Sequence, residues 1–220
     1  MLPLLLLLAV APPSPVPACP RVLNGTERAN ASTAVCIGHK DGFAYLLGAA
    51  HALPAGQAQT FQFFPAGGGD DPARELTGGE VLLRLPDPDL VLVRVPVGGE
   101  PVPELPLVGR GKRPRAFPVA AGAVGCPAGR PPEFRPEVVL DKVPVWLPEA
   151  TGQPRRLRGF FWATERRPVG GMSGGPLLDH EGAVIGICSA AGLGDGRGYY
   201  TYADEILAAL AVTDHRWLVK

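Results

Sequence analysis

Glycine and proline, 29 and 26 of the 220 residues, cut this chain into apolar runs too short for long helices. The prolines punctuate those runs and do not interrupt a helical periodicity, which predicts strands joined by turns and an all-β architecture. With 46% hydrophobic and 19% charged residues, the chain can bury one sizeable core and is not a disordered protein. Strands are expected around 34–37, 43–47, 60–64, 80–85 and 90–95 in the first half. In the second half they are expected around 117–124, 137–143, 159–163, 176–178, 183–189 and 198–202. Apolar residues at helical spacing over 203–210 predict a short closing helix.

One glycine-rich run, Gly170-Gly171-Met172-Ser173-Gly174-Gly175-Pro176, gives a serine the surroundings a nucleophile needs. A serine hydroxyl attacks only when a base removes its proton and donors await the charge on the attacked carbonyl oxygen. With no side chain at Gly171 the backbone can turn sharply and aim its N–H, with that of Ser173, at one point, which is an oxyanion hole. Taken alone, the run also reads as a glycine-rich hairpin loop. Upstream, Phe43-Ala44-Tyr45-Leu46-Leu47-Gly48-Ala49-Ala50-His51 is an apolar strand that ends in small residues and a histidine. Between the two, Asp87-Pro88-Asp89 leads into Leu90-Val91-Leu92-Val93, continuous enough for a buried strand, so Asp89 is carried into the core. A buried carboxylate needs a partner, and a histidine N–H would supply one and be oriented by it. Asp87, before a proline and two residues outside the run, is expected in a loop.

In this chain order, Ala49-Ala50-His51, Asp89-Leu90-Val91-Leu92-Val93-Arg94 and Gly171-Met172-Ser173-Gly174-Gly175-Pro176-Leu177 resemble the triad segments of the trypsin-like serine proteases. Gly186-Ile187-Cys188-Ser189 and Gly198-Tyr199-Tyr200-Thr201 resemble the strands that wall the substrate pocket in that family, and the likeness covers most of 22–212. The likeness is to the bacterial type of trypsin-like peptidase domain. The resemblance implies two six-stranded antiparallel β-barrels, chymotrypsin-like, over about 22–111 and 112–202, with a C-terminal helix over about 203–212. It also implies a serine endopeptidase acting on proteins or peptides without a cofactor. His51 would take and return the proton, Asp89 would orient the imidazole, Ser173 would form the acyl-enzyme, and Gly171 and Ser173 would supply the oxyanion hole. Ser189 would hydrogen-bond toward Asp89.

By the same resemblance the base of the substrate pocket lies six residues before Ser173, at Arg167, and offers no acid for a Lys or Arg side chain. Ala190, Ala191, Gly192 and Gly198 would form small pocket walls, leaving an apolar slot for small or medium side chains. Arg167 either points into that slot and selects acidic side chains or lies in solvent beside Arg166. Solvent is expected, because a buried unpaired guanidinium costs several kcal/mol. Arg21-Val22-Leu23-Asn24-Gly25 looks like a zymogen cleavage site, but Met172 stands where such zymogens carry the aspartate that pairs with the freed amine. Activity without cleavage is therefore expected.

The apolar stretch 2–10 is too short for the ~20 residues of a membrane span and reads as a signal h-region, although no Lys or Arg precedes it. A signal peptide over 1–18 and a protease domain over 19–220 are expected, hence a secreted or periplasmic location with no integral membrane segment. A lipid anchor on Cys19 is an alternative. Cys19, Cys36, Cys126 and Cys188 are too few and too spread to declare a disulfide framework, and no spacing suggests a metal. Cys36 lacks its family partner, since Ala52 occupies that position, and Cys36 and Cys188 are expected as buried thiols.

The net charge is +0, and the basic clusters 112–115 and 155–158 fall in Pro/Gly-rich loops, so no nucleic-acid partner is implied. Asn24 and Asn30 open glycosylation sequons, and His39, His180 and His215 read as surface residues. No peptide-binding module of the kind carried by envelope proteases of the heat-shock type is expected after the helix.

Two other classes compete. Gly171-Met172-Ser173-Gly174-Gly175 satisfies the esterase elbow of α/β-hydrolases, but Gly174-Gly175-Pro176 is a poor helix start and only His180 and His215 follow. A protease fold serving as a non-catalytic binding module would carry the same residues, and fluorophosphonate labelling of Ser173 separates the two.

Overall fold

The computed structural model describes residues 14–25, 30–109, 114, 116–147, 157–191 and 195–219, with the backbone alone at 146, 147, 157, 190 and 191. The signal-like stretch 1–13, Thr26 of the first sequon, the basic residues 112, 113, 115, 155 and 156, and Gly192 lie outside the described residues.

The first half builds one antiparallel sheet from β1 (Arg21–Asn24), β2 (Ser32–Lys40), β3 (Phe43–Ala49), β4 (Gln59–Phe63), β5 (Arg74–Leu76), β6 (Glu80–Leu85) and β7 (Leu90–Pro96). Its order is β5-β4-β1-β2-β3-β7-β6. The second half builds a closed six-stranded barrel from β8 (Val119–Gly125), β9 (Glu133–Leu147), β10 (Leu157–Thr164), β11 (Pro176–Leu178), β12 (Val184–Ala191) and β13 (Gly198–Tyr202). Helix α1 (Ala203–Ala211) follows. The fold is all-β and chymotrypsin-like, as the sequence implies. The first half differs in detail, because β1 and β5 were not expected as strands and the result is a curled seven-stranded sheet instead of a closed six-stranded barrel.

The near-continuous apolar runs of β2, β3 and β7 have a physical reason in their period of two. Ala34, Cys36, Ala44, Leu46, Val91 and Val93 face the core inside the first half. The alternate residues Val35, Ile37, Tyr45, Leu47, Leu90 and Leu92 face a second core at the seam, shared with Val184 and Ile187 of β12 and with Ile206 and Leu210 of α1. Both faces are buried, so neither carries a polar alternation. Each buried valine, leucine or isoleucine among them contributes about 1.5–3 kcal/mol on leaving water, and those of the second core lock the two halves at a fixed seam. A third core fills the barrel around Trp162, whose Nε1–H donates to the Ile185 carbonyl at 2.7 Å.

None of the four cysteines is in a disulfide, and all are buried. Burial pushes the thiols of Cys36 and Cys126 up to about 12, so both are neutral and unreactive at physiological pH. Cys19 is fully buried with its thiol donating to the Pro15 carbonyl at 3.4 Å. Among the described residues no helix is long and apolar enough to cross a membrane.

Candidate active site

Strand register brings the first two site residues together. β3 and β7 pair antiparallel with Ala49 opposite Leu90, so His51, just past the end of β3, meets Asp89, just before the start of β7. Asp89 is 2% exposed and adopts a left-handed φ of 56°, a conformation aspartate tolerates better than most side chains. Its Oδ2 lies 2.7 Å from His51 Nδ1, and its Oδ1 accepts the His51 backbone N–H at 2.9 Å. The Ser189 hydroxyl donates to Oδ2 at 2.6 Å. These donors offset the cost of burying the carboxylate, and they fix the imidazole with Nδ1 inward and Nε2 outward. Asp87 stays half-exposed outside this arrangement, with its carbonyl accepting from the Arg158 N–H at 2.7 Å.

Ser173 arrives from the other half. Its carbonyl accepts the Thr33 N–H at 2.8 Å, and Gly174 N–H donates to the Cys188 carbonyl at 2.8 Å, so the Ser173 loop is tied to both sides of the seam. This places Ser173 Oγ 3.1 Å from His51 Nε2. Nε2 is thus within reach of the hydroxyl proton, a distance at which a base could take it.

The turn before Ser173 is clamped at two consecutive peptides. The Gly170 carbonyl accepts the Ala128 N–H at 2.7 Å, and the Gly171 carbonyl accepts the Thr33 hydroxyl at 2.8 Å. A trans peptide points N–H and C=O in opposite directions, so holding the Gly170 carbonyl on Ala128 turns the Gly171 N–H the other way. Among the described residues neither the Gly171 nor the Ser173 N–H has a hydrogen-bond partner, which leaves both available to a substrate oxygen. Gly171 has φ +92°, and a Cβ there would sit 2.1 Å from the Cys126 carbonyl oxygen, so only glycine fits.

The expected pocket residues separate. Ala190 and Ala191 pair with Tyr199 and Gly198 across β12 and β13, next to Ser189. A Cβ on Gly198 would meet Thr164 Oγ1 at 2.6 Å, the Arg166 carbonyl at 2.7 Å and Pro168 Cδ at 2.8 Å, so the 166–168 segment presses directly on this wall. Arg167 is exposed and lines a separate cavity of about 320 Å³ with Phe134, Glu137, Met172 and Tyr200. A second cavity, of about 360 Å³, is lined by His51, Gly171 and Ser173 themselves together with Asn24, Ser32 and Gln57. His180 is exposed, while His39 and His215 are half-buried, and His39 Nδ1 lies 2.8 Å from Glu104.

Two residues that shape the site gave no signal in the sequence. Thr33 also accepts the Cys126 N–H at 2.9 Å, bridging the turn before Ser173 to the neighbouring turn. Arg84 donates to the carbonyls of Ala50, at 2.6 Å, and of Leu53, and so braces the backbone on both sides of His51. Each acts across a long stretch of chain, where local patterning carries no information.

The family model for the trypsin-like peptidase domain matches residues 32–187. No curated protein matches the chain by sequence. Among solved structures, the active form of the Rv3671c protease from M. tuberculosis superposes with a TM-score of 0.70 at 20% identity, over 90% of this chain and 81% of that one. The MamO protease domain from Magnetospirillum magneticum, in its apo form, gives a TM-score of 0.68 at 19% identity, over 89% and 96%. The HtrA-type protease AlgW, solved with a tripeptide, gives 0.66 at 20% identity, over 92% of this chain and 62% of that one. At these identities the structures speak for the fold, while the family match spans more than half of the 220 residues and all three of the chain's site segments. This protein belongs to the family of trypsin-like peptidase domains and is a serine peptidase.

Proposed function

We propose that the chain is an endopeptidase that cleaves peptide bonds through His51, Asp89 and Ser173 by way of an acyl-enzyme. The observation that carries this reading is the unbroken line from Ser173 Oγ through His51 Nε2 and Nδ1 to Asp89 Oδ2, at 3.1 and 2.7 Å. His51 takes the Ser173 proton as Oγ attacks the carbonyl carbon, and Asp89 stabilises the imidazolium that forms. The Gly171 and Ser173 N–H groups bind the tetrahedral oxyanion. The imidazolium then protonates the departing amine, leaving an ester on Ser173. Water, deprotonated by His51, attacks that ester and releases the acid. The deciding experiment is fluorophosphonate labelling of the purified protein with peptide mapping. Label on Ser173, together with hydrolysis of an unstructured protein, is expected. A folded protein that takes no label is a binding module instead.

Small apolar side chains are the expected preference at the cleavage site, with Ser189, Ala190, Ala191, Gly192 and Gly198 along the substrate's acyl half. The pressure of Pro168 and the Arg166 carbonyl on Gly198 supports a shallow slot, and exposed Arg167 supports the absence of any charge selection. Profiling a peptide library with wild type and Arg167→Ala should give the same small-residue profile for both. Efficient cleavage after Lys or Arg, or an acidic preference that the variant loses, would refute it.

No processing after Arg21 is needed for activity. Arg21 is 1% exposed in β1, paired with Thr33 of β2 and Gln62 of β4, so the following bond is closed to a protease in the folded chain. Intact mass measurement of the fluorophosphonate-labelled protein should find that bond whole. A labelled population that always begins at Val22 would contradict this. The apolar stretch 2–10 and the family likeness support an extracytoplasmic location.

A further inference from the structure

Arg21 attracts attention in the sequence as a cleavage site, yet its guanidinium is buried 108 residues upstream of the group it holds. Nε donates to Gln62 Oε1 at 2.7 Å on the paired strand β4, and Gln62 Nε2 donates to Glu75 Oε1 at 2.5 Å on β5. The guanidinium carbon lies 4.9 Å from the centre of the Phe64 ring. This frame fixes the side chain so that Nη1 donates to the Gly129 carbonyl, in the opposite half of the molecule, at 2.8 Å.

Gly129 closes the 3-10 turn Pro127–Gly129, and its N–H returns to the Cys126 carbonyl at 3.0 Å. The middle residue of that turn, Ala128, has φ 53° and ψ 33°, a left-handed conformation that costs a non-glycine residue about 1–2 kcal/mol. Such a turn persists only when its surroundings over-determine it. It is Ala128 whose N–H binds the Gly170 carbonyl and so directs the Gly171 N–H toward the space beside Ser173. Met172, 2% exposed in the barrel core, contributes no ion pair to this region.

We infer that Arg21 is a positioning residue for the oxyanion hole, holding the Pro127–Gly129 turn where the Ala128 N–H can set the Gly170 carbonyl and thereby aim the Gly171 N–H. The inference rests on the hydrolytic reading of Ser173. A first strand that the sequence marks for cleavage thus serves the site intact, through a buried cation and one carbonyl.

The test compares the full chain with Arg21→Met, which keeps an apolar stem and removes the donors, and with Gln62→Met, which leaves Arg21 in place without its strand anchor. Each is assayed on a peptide amide for kcat and KM across pH, and for inhibition by a peptide boronic acid, whose adduct with Ser173 places an oxygen in the hole. Misplacing one donor should lower kcat of Arg21→Met by about tenfold to a hundredfold. KM and the apparent pKa of the pH profile should be unchanged, because His51 and the slot are untouched. Boronate affinity should weaken by the same factor as kcat, and Gln62→Met should fall between wild type and Arg21→Met. Wild-type kcat and boronate affinity in a folded Arg21→Met would overturn the inference. So would a loss shared equally by KM and the pH profile, or failure of both variants to give a native circular-dichroism spectrum, since either makes Arg21 a residue of the fold alone. A wild type that neither hydrolyses peptides nor takes a fluorophosphonate defeats the hydrolytic reading, and this inference with it. An active wild type with equally active variants defeats this inference only.

Discussion

Ser173→Ala is expected to lower kcat for peptide hydrolysis by about a millionfold and to abolish fluorophosphonate labelling while leaving the fold unchanged. His51→Ala should cost about as much, because without Nε2 the hydroxyl keeps its proton. Asp89→Asn should cost about ten-thousandfold, since an amide N–H facing Nδ1 favours the wrong imidazole tautomer. Asp89 also accepts from the His51 N–H and the Ser189 hydroxyl, so this variant should lose stability, by about 1–3 kcal/mol for a buried donor left unpaired, and His51→Ala should lose some as well by taking the Nδ1 donor from the buried carboxylate. The Ser173→Ala, His51→Ala double variant should be scarcely slower than either single one, since the residual rate comes from the oxyanion hole and substrate binding. Steady-state kinetics on one peptide substrate measures all of these. Losses that multiply would mean that the residues do not act as a unit.

The site was more legible than the sheet that carries it. His51 and Asp89 sit at the ends of strands whose apolar runs are unmistakable, and the antiparallel pairing of those strands is enough to bring them together. The glycine-rich surroundings of Ser173 are equally local. Strands β1 and β5 were missed for opposite reasons. Arg21–Asn24 is half polar because Arg21 meets a buried polar frame and the half-buried Asn24 donates to the Ala52 carbonyl. Arg74–Leu76 is only three residues long and follows a stretch of Gly, Asp and Pro that reads as loop. Thr33 and Arg84 were invisible because their partners, Gly171 and Ala50, lie 138 and 34 residues away, and a backbone carbonyl has no sequence signature. At Arg167, spacing gave the position but not the direction. The neighbouring Pro168 is the residue that turns inward, against Gly198.

Gly170 and Gly171 are adjacent and look interchangeable, but alanine at each should have very different effects. At Gly170 a Cβ meets nothing within 4 Å, and Gly170→Ala should keep kcat/KM within a few-fold of wild type. At Gly171 the same methyl group would lie 2.1 Å from the Cys126 carbonyl oxygen, 3.1 Å from Gly129 N and 3.2 Å from Ala128 N, all of them backbone atoms of one clamped turn. It would also hold φ +92°, at a cost of about 1–3 kcal/mol for a residue with a side chain. The structure can relieve both only by moving the Gly170–Gly171 peptide off Ala128, and this rotates the Gly171 N–H away from the developing oxyanion. Gly171→Ala should therefore lose about a hundredfold to a thousandfold in kcat, the cost of one oxyanion donor, with KM little changed. Its thermal midpoint should drop as well. Kinetics and thermal melts of the two variants side by side check this. If Gly171→Ala were as active as Gly170→Ala, the Gly171 N–H would have no part in stabilising the tetrahedral intermediate, and the Ser173 N–H would be left to do so without it.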